Sequence, residues 1–291
     1  MHKNHPFLMG ICLLFYLVGQ TAQAQLHVGF NGGLNQSNLS GPEERIDGRG
    51  ETLSATSGFH ISMRISYDIN DWLAFGGGIG YTQRGVQRDY DGPSFFRFRT
   101  TDNRSVVYDG ERQQQLEDNT DHLDLPLFVQ FSPVKRIQFY GGPYLSTTLN
   151  AQGAGRLRFT EQSFQGESPQ LETGLEYEYY SDDPGIGGEM GDPRVEMAGD
   201  IVYVPELLSA YPELQELDET LYRRWHYGAH AGVNLFISSG LYFNIEWMYG
   251  FNDMTREGAD LAISQRSDQG FQFRDDFDRF ITWRFSIGFS F

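Results

Sequence analysis

Two pairs of residues have the types and spacing for chemistry. His122 and Asp124 are two residues apart, and His226 and His230 are four apart. A histidine beside a carboxylate or a serine can activate water or a hydroxyl group, so a lipid A or peptide hydrolase is one interpretation. No Ser–His–acid spacing can be assigned, and a lone histidine inside a polar interior more often only fills space. We therefore predict a protein that is not an enzyme, with hydrolysis as the alternative.

Metal and cofactor sites are the next chemistry to weigh. Residues i and i+4 of one strand lie about 13 Å apart, which is too far for His226 and His230 to share a metal ion. Residues 182–192 have the oxygen-rich and glycine-rich composition of calcium loops without their spacing, which favours a solvated turn. Residues 76–78 are glycines without the lysine of a phosphate-binding loop. We predict no catalytic, cofactor-binding or metal site.

The segments that carry these residues alternate between apolar and polar side chains. In residues 279–291, one face carries Ile281, Trp283 and Phe285, whereas the other carries Thr282 and Arg284. A period of two is typical of a β-strand with one apolar face. The same pattern predicts eight strands, over residues 26–35, 57–68, 72–85, 121–132, 136–149, 225–235, 241–251 and 279–291.

The connections between these strands alternate strictly between short and long. Short turns lie around residues 69–71, 133–135 and 238–240, whereas the long connections are 36–55, 86–119, 150–224 and 252–278. This is the plan of an outer-membrane barrel with short periplasmic turns and long extracellular loops. The sequence predicts an all-β, transmembrane, up-and-down antiparallel barrel of eight strands. Ten strands are the alternative, because the third long connection has room for two more.

Charge and hydropathy support this division. The chain has 291 residues, 39 acidic against 22 basic, and a net charge of −17. A mean hydropathy of −0.46 excludes a bundle of transmembrane helices, and the acid excess disfavours nucleic-acid binding. The four long connections hold 34 of the 39 acidic residues, so the acidic average belongs to the predicted loops.

The polar faces of the predicted strands indicate a filled lumen. An eight-stranded barrel is just wide enough for side chains to fill, and charges buried there must be paired. We predict a polar network inside a closed barrel, with a narrow pore for small solutes as a minor alternative. Its members are Arg64, Arg84, His122, Asp124, His226, His230, Glu246 and Arg284.

The ends of the chain carry targeting features. Residues 1–24 have a basic start, an apolar run and a small-residue cleavage site, which predicts a secretory signal peptide. The barrel domain would then span residues 25–291, with residues 150–224 as a long acidic extracellular loop. Within that loop, residues 205–222 have near-helical spacing of apolar side chains after a proline, which predicts a short helix.

Several short motifs recur along the predicted strands: the glycine-rich and asparagine-rich residues 29–39, residues 57–60, LDLPL at 123–127, YGGPY at 140–144, YGAHAG at 227–232 and YG at 249–250. These motifs resemble those of the Bacteroidetes PorT-like family of outer-membrane β-barrel proteins. The resemblance implies an eight-stranded barrel integral to the outer membrane of a Gram-negative bacterium. The aromatic residues Phe289 and Phe291 look like the C-terminal signal that the barrel assembly machinery reads. Expected partners are outer-membrane lipid, this machinery and an extracellular or envelope protein, which the loops would bind or brace.

Overall fold

The computed structural model describes residues 25–102, 104–161, 170–182, 190–197, 200–205, 207–210, 220–256, 263–267, 270–273 and 277–291. Fifteen β-strands lie within these ranges. They are β1 (Leu26–Ser40), β2 (Arg45–Ile46), β3 (Arg49–Asn70), β4 (Leu73–Arg99), β5 (Ser105–Val134), β6 (Ile137–Glu161), β7 (Gln170–Glu178), β8 (Met190–Met197), β9 (Asp200–Pro205), β10 (Leu207–Leu208), β11 (Trp225–Phe236), β12 (Leu241–Gly250), β13 (Ile263–Ser267), β14 (Gly270–Phe273) and β15 (Arg279–Ser290).

Eight of these strands close into a ring. Each pairs antiparallel with its neighbour in the order β1, β3, β4, β5, β6, β11, β12, β15, and β15 then pairs with β1. The closing register places Gly29 opposite Ser290 and Ser40 opposite Arg279. The predicted all-β barrel is therefore confirmed, and every predicted alternating segment lies in a ring strand or overlaps one.

The part of the ring nearest the short turns, which we call the lower ring or lower barrel, is apolar on its outer surface. Exposed Leu, Ile, Val, Phe, Tyr and Trp side chains project from each ring strand at alternate positions. On β5 this lipid-facing series runs from Leu123 to Phe131, and the next outward side chains, Asp121 and Asn119, are polar. This apolar band defines the membrane-spanning part of the barrel.

Three ring strands continue well beyond this band, which corrects the predicted loops. β4, β5 and β6 remain paired up to Arg99↔Ser105 and Gly110↔Glu161, so most of the predicted connection 86–119 is strand. A bulge in β6 beside Asp121 shifts the side-chain parity by one residue. Because of this bulge and the polar side chains at outward positions, the sequence of these extensions does not show the regular alternation of apolar and polar residues by which strands are predicted.

The third long connection also contains strands. β7 pairs with the upper part of β6, and β8 and β9 form a separate hairpin. Leu207 and Leu208 form β10 parallel to β7, so the predicted helix over residues 205–222 is wrong at its start, because the edge of β7 offers backbone partners there. Residues 211–219 of that prediction, residues 183–189 of the calcium-like segment and residues 1–24 lie outside the described residues. The described part of the chain contains no helix that is long and apolar enough to cross a membrane.

Two apolar clusters lie above the membrane band. The upper cluster fills the space between the extended strands and includes Phe96, Phe98, Leu116, Leu157, Phe159, Leu171, Leu175, Val202 and Leu208. The mouth cluster lies lower, at the opening of the barrel, and consists of Leu39, Val86, Ala151, Tyr179, Tyr222, Met254 and Phe280. We call the extended parts of β4, β5 and β6, together with β7 and β10, the extracellular sheet.

Candidate functional site: a filled lumen beneath an extracellular sheet

Asp124 is the centre of one ion-pair group inside the barrel. Its carboxylate accepts hydrogen bonds from Arg84 at 2.9 Å and from the Thr82 hydroxyl at 2.8 Å, and Arg284 also donates to it. All four side chains are buried. A buried carboxylate is tolerated only when charges and hydrogen bonds compensate the loss of water, and two guanidinium groups do so here.

Glu246 is the centre of a second group that joins the first through a shared arginine. Its carboxylate lies 3.1 Å from Arg64, 3.3 Å from Arg284 and 2.8 Å from Nδ1 of His230. The other ring nitrogen of His230 lies 3.0 Å from the carbonyl oxygen of Leu127. Arg284 therefore bridges Asp124 and Glu246, and the structure brings all five predicted charged residues into one network.

The two remaining predicted histidines lie beside this network. Nε2 of His122 contacts the Thr120 hydroxyl at 2.8 Å, and Nε2 of His226 contacts the Thr148 hydroxyl at 2.9 Å. The two imidazole rings are 5.6 Å apart between their centres. Ser146 lies 3.4 Å from Nδ1 of His122, but it belongs to a ring strand and is buried.

The structure adds lumen residues that the sequence prediction omitted. Asn244 donates to the hydroxyl of Tyr140 at 2.7 Å and to Asn234 at 2.8 Å. His60 is 2% exposed, and neither of its ring nitrogens has a hydrogen-bond partner among the described residues. All four lie on the polar parity of their strands, which is the signal that identified the other members. Because the prediction included only charged residues and three histidines, it missed the neutral amides and His60.

A further ion-pair group closes the barrel mouth above the membrane band. Arg88 lies 3.0 Å from Asp118, 3.4 Å from Glu51 and 3.6 Å from Asp278, so it joins β3, β4, β5 and the segment before β15. The mouth cluster packs around this group with two tyrosines. The lumen is thus blocked twice along its length, by the polar network and by the mouth cluster.

Two tyrosines of the mouth cluster donate to Asp118. Tyr179 donates at 2.5 Å and Tyr222 at 3.3 Å. Burial raises the pKa of both phenols well above the ordinary value, so both stay protonated at neutral pH and remain donors. Burial also raises the pKa of the Asp118 carboxyl, an effect that the Arg88 guanidinium opposes. These bonds connect β7 and the segment before β11 to the ring.

The outer face of the extracellular sheet carries a polar cleft of about 460 Å³. The strand register arranges its side chains in two rows that cross neighbouring strands. One row contains Thr52, Asp89, Gln115 and Arg156, and the other contains Gly50, Asp91, Gln113, Arg158 and Glu172. Cross-strand neighbours on one face lie about 5 Å apart, so the carboxylate, carboxamide and guanidinium groups of β4, β5 and β6 form two lines across the strands.

The periplasmic end holds a second cavity of about 670 Å³. His27 and Asp68 form an ion pair at 3.0 Å beside it, and Phe291 lies on its rim. Phe289 and Phe291 are exposed, and their rings meet edge to face with centres 4.8 Å apart. Their role as an assembly signal stays a prediction.

No group of three His, Cys, Asp or Glu residues with the geometry of a metal site occurs in the part of the chain that is described. His226 and His230 have different partners, Thr148 and Glu246, and the backbone register places them opposite Ser146 and Gly142 of β6.

Comparisons with known proteins agree with this architecture. The model of the family described as "Outer membrane protein beta-barrel domain" matches residues 19–256. No curated protein matches the chain. Three similar solved structures, each with a TM-score below 0.4, are the attachment invasion locus protein Ail of Yersinia pestis, OprG of Pseudomonas aeruginosa and the outer membrane protease OmpT of Escherichia coli.

The similarity to these structures covers nearly the whole of each chain at low identity. Ail in complex with the heparin analogue sucrose octasulfate is 12% identical, with a TM-score of 0.36 over 92% of this chain and 99% of that one. OprG is 13% identical at 0.33, over 91% and 95%. OmpT is 4% identical at 0.29, over 93% and 97%. Since the family match covers most of the sequence, the chain belongs to the outer membrane protein beta-barrel domain family and is an integral outer-membrane protein.

Proposed function

We propose that this protein is a non-enzymatic outer-membrane barrel that binds a hydrophilic partner at the cell surface through its extracellular sheet. The observation that carries the proposal is the cleft on the outer face of that sheet. Its two rows combine carboxylate, carboxamide and guanidinium groups within about 5 Å of one another. Planar groups of this kind donate and accept pairs of hydrogen bonds, which suits a hydroxyl-rich chain or an extended peptide.

The rigidity of the sheet supports a binding role. Paired strands and the upper cluster hold the cleft residues in place, so little conformational entropy is lost when a partner binds. A recognition surface on regular strands is positioned more precisely than one on mobile loops. On this proposal, the strands of the extracellular sheet hold the binding residues in fixed positions as well as connecting the barrel segments.

The geometry of the lumen histidines supports the non-enzymatic part of the proposal. Asp124 is bound by two arginines and does not orient His122, which instead contacts Thr120. Both His122 and Ser146 are buried at 1% exposure or less, whereas a hydrolase needs its base and nucleophile open to substrate. The hydrolase alternative would need another set of residues.

The filled lumen supports a closed barrel over a narrow pore. Liposomes that contain the purified protein should swell in arabinose no faster than empty liposomes, because the polar network and the mouth cluster block the path. Swelling at the rate of a known porin, measured in parallel, would contradict this.

The binding proposal is tested by site-specific crosslinking in intact cells. A photo-crosslinking amino acid at Gln115, inside the cleft, should give a discrete adduct on illumination. The same group at Asn119 is the matched control, since it faces outward on the same strand but outside the cleft. We expect the adduct at position 115 alone, and its loss when Asp89→Ala and Arg156→Ala are added. Equal adducts at both positions would refute a specific cleft.

We also propose the finer assignment to the PorT-like group of Bacteroidetes, with removal of residues 1–24 on export. The motifs at residues 123–127 and 140–144 support the first, and the composition of residues 1–24 supports the second. Intact-mass measurement of protein extracted from outer membranes tests the cleavage. A chain that begins at Gln25 is expected, and a chain that retains Met1 would contradict it.

A further inference from the structure

Most arginines of the described residues have a carboxylate partner, which is expected in a chain with so many acids. Those with an ion pair are Arg45, Arg49, Arg64, Arg84, Arg88, Arg104, Arg112, Arg158 and Arg284. Arg223, Arg224 and Arg279 are among the arginines for which no carboxylate of the described residues lies within ion-pair distance, and these three belong to one side of the barrel. We call these three residues the rim arginines.

The rim arginines lie on one side of the barrel because their two strands are separated by a single strand. Arg223 and Arg224 immediately precede β11, and Arg279 begins β15, with β12 between these two strands. The backbone N–H of Arg223 donates to the carbonyl of Met254 at 2.8 Å, which ties the segment before β11 to the one after β12. β11 and β15 thus bring these cations to one side of the extracellular rim.

Each guanidinium is held by neutral groups. Nε of Arg223 donates to the carbonyl of Thr255 at 3.0 Å. Arg224 lies 4.5 Å from the ring centre of Tyr180. Arg279 donates to the hydroxyl of Tyr249 at 2.6 Å. These contacts orient the side chains, and within the described ranges they supply no negative charge to the three guanidinium groups.

The depth of the rim arginines coincides with the membrane interface. Trp225 and Tyr227 directly follow them on β11 and are 60% and 55% exposed on the lipid-facing side. Phe251 is exposed beside them, and its N–H donates to the carbonyl of Tyr227 at 2.9 Å. An outward aromatic girdle marks the boundary of the hydrocarbon layer. Cations just beyond the girdle lie at the level of lipid headgroups.

We propose that the rim arginines form a binding site for the phosphate groups of an anionic outer-leaflet glycolipid. The ligand's acyl chains would lie against the exposed aromatic residues, while its phosphates would take the place of the missing carboxylates. Arginine suits this role, because its planar fork binds phosphate oxygens in pairs. The positive charges of the site would also reduce the electrostatic repulsion between the acidic extracellular surface and an anionic leaflet.

The opposite side of the rim shows that the feature is local. There, Asp121 on β5 accepts a hydrogen bond from the hydroxyl of Tyr81 on β4 at 2.5 Å, at the same boundary of the apolar band. An outward carboxylate on the β5 side and the rim arginines on the β11, β12 and β15 side would give the barrel a preferred lipid neighbour on the latter side. If basic residues surrounded the whole rim, lipid binding would not be stronger on one side of the barrel.

The test measures lipid binding by purified protein in neutral detergent. The probe is diphosphoryl lipid A, and adducts are counted by native mass spectrometry over a range of lipid concentrations. The variant combines Arg223→Gln, Arg224→Gln and Arg279→Gln. The matched control combines Arg45→Gln, Arg49→Gln and Arg104→Gln, which are exposed arginines with carboxylate partners. Heat-modifiable gel mobility confirms that both variants fold.

The rim variant should bind diphosphoryl lipid A about 100-fold more weakly, because each basic residue near a membrane surface contributes roughly a factor of five. The control should bind as the wild type does, and the three rim Arg→Lys changes should restore part of the affinity. Lipid A without phosphates should bind the wild type as weakly as the rim variant binds the intact lipid. Equal binding by the rim variant and the control would overturn the proposal. Displacement of the lipid by an equal concentration of inorganic phosphate would overturn a lipid site in favour of free phosphate.

Discussion

The lower barrel and the extracellular sheet are built from the same strands but have opposite polarity. On β5, the outward side chains from Leu123 to Phe131 are apolar, and the inward His122 and Asp124 are polar. Farther up the same strand, the outward Gln113 and Gln115 are polar, whereas the inward Leu116 is part of the upper cluster. β5 stays paired with β4 through this change, and its pairing with β6 passes through it with a single bulge beside Asp121.

The surrounding medium accounts for the inversion. Lipid contacts the outside of the lower barrel, so apolar side chains belong there, and the narrow lumen takes polar groups that satisfy one another. Water contacts the outside of the extracellular sheet, so its apolar side chains face inward as in a soluble domain. The outward side chains of one strand are therefore apolar in the lower barrel and polar in the extracellular sheet. The position at which they change marks the edge of the membrane.

The two regions also differ in what stabilises their interiors. The lower barrel is held by ion pairs whose net contribution is modest, but whose disruption leaves charges uncompensated. The extracellular sheet is held by aromatic and aliphatic contacts such as Phe96 with Phe98, at 4.6 Å between ring centres. Substitutions should therefore have different costs in the two regions.

The largest effect is expected from Asp124→Ala, which leaves Arg84 and Arg284 buried without their shared carboxylate. We expect the free energy of unfolding to fall by about 3–5 kcal/mol. Urea titration in micelles, followed by heat-modifiable mobility, measures it. Asp89→Ala in the cleft is the control, with an expected change within about 0.5 kcal/mol. Equal midpoints for the two variants would remove the distinction between the regions.

A pair of substitutions to arginine tests the polarity switch on β5. Leu127 faces lipid and is 61% exposed, whereas Gln115 faces water on the same side of the strand. Leu127→Arg should make folding into vesicles less favourable by about 2–4 kcal/mol. Gln115→Arg should change it by less than about 0.5 kcal/mol. Similar losses for both would mean that the apolar band ends elsewhere.

The connection between the two regions is tested by Tyr179→Phe. The variant lacks the hydroxyl that donates to buried Asp118, which should cost about 1–3 kcal/mol. Hydrogen exchange should speed up in β7 while the lower ring stays protected. Tyr227→Phe, at a lipid-exposed site, is the control and should leave exchange in β7 unchanged. If β7 is equally protected in both, Asp118 does not hold it to the ring.

The smallest effect is expected from Tyr90, on the inner side of the extracellular sheet. Burial raises the pKa of its phenol to about 12, and the guanidinium of Arg112, 3.9 Å from the ring centre, opposes the shift. Because the folded pKa lies above the unfolded value of about 10, the neutral phenol favours the folded sheet below pH 10. This contribution is lost as the pH rises from about 10 to about 12.

Difference absorbance at 295 nm between the wild type and Tyr90→Phe isolates this titration. The difference should show one phenol that ionises near pH 12, and the wild type should lose stability relative to the variant between pH 10 and 12. Ionisation near pH 10 would show that Tyr90 is solvated and that the sheet is open at this point.

Sequence reasoning identified the lower barrel far better than the extracellular sheet. Residues 241–251 have the period of two and an apolar lipid face, so β12 was predicted nearly to the residue, whereas residues 121–132 predicted only the lipid-facing part of the longer β5. Residues 86–99 carry the same period with polar outward side chains and a proline, and these features are also typical of loops. The helix predicted over 205–222 is wrong at its start, because an apolar spacing near 3.6 does not reveal that β7 offers a free edge.

What the sequence determined by itself is the alternation, the order of short and long connections, and therefore the barrel and the charged members of its polar network. These are local properties, because a period of two and a turn are set by residues close in the chain. Only the tertiary structure decided which charges meet. Arg284 and Asp124 are separated by 160 residues, and their contact depends on the register of strands that pair across the closed ring. The same non-local pairing decided that β7, not β11, accompanies the upper part of β6, and it gathered the rim arginines on one side.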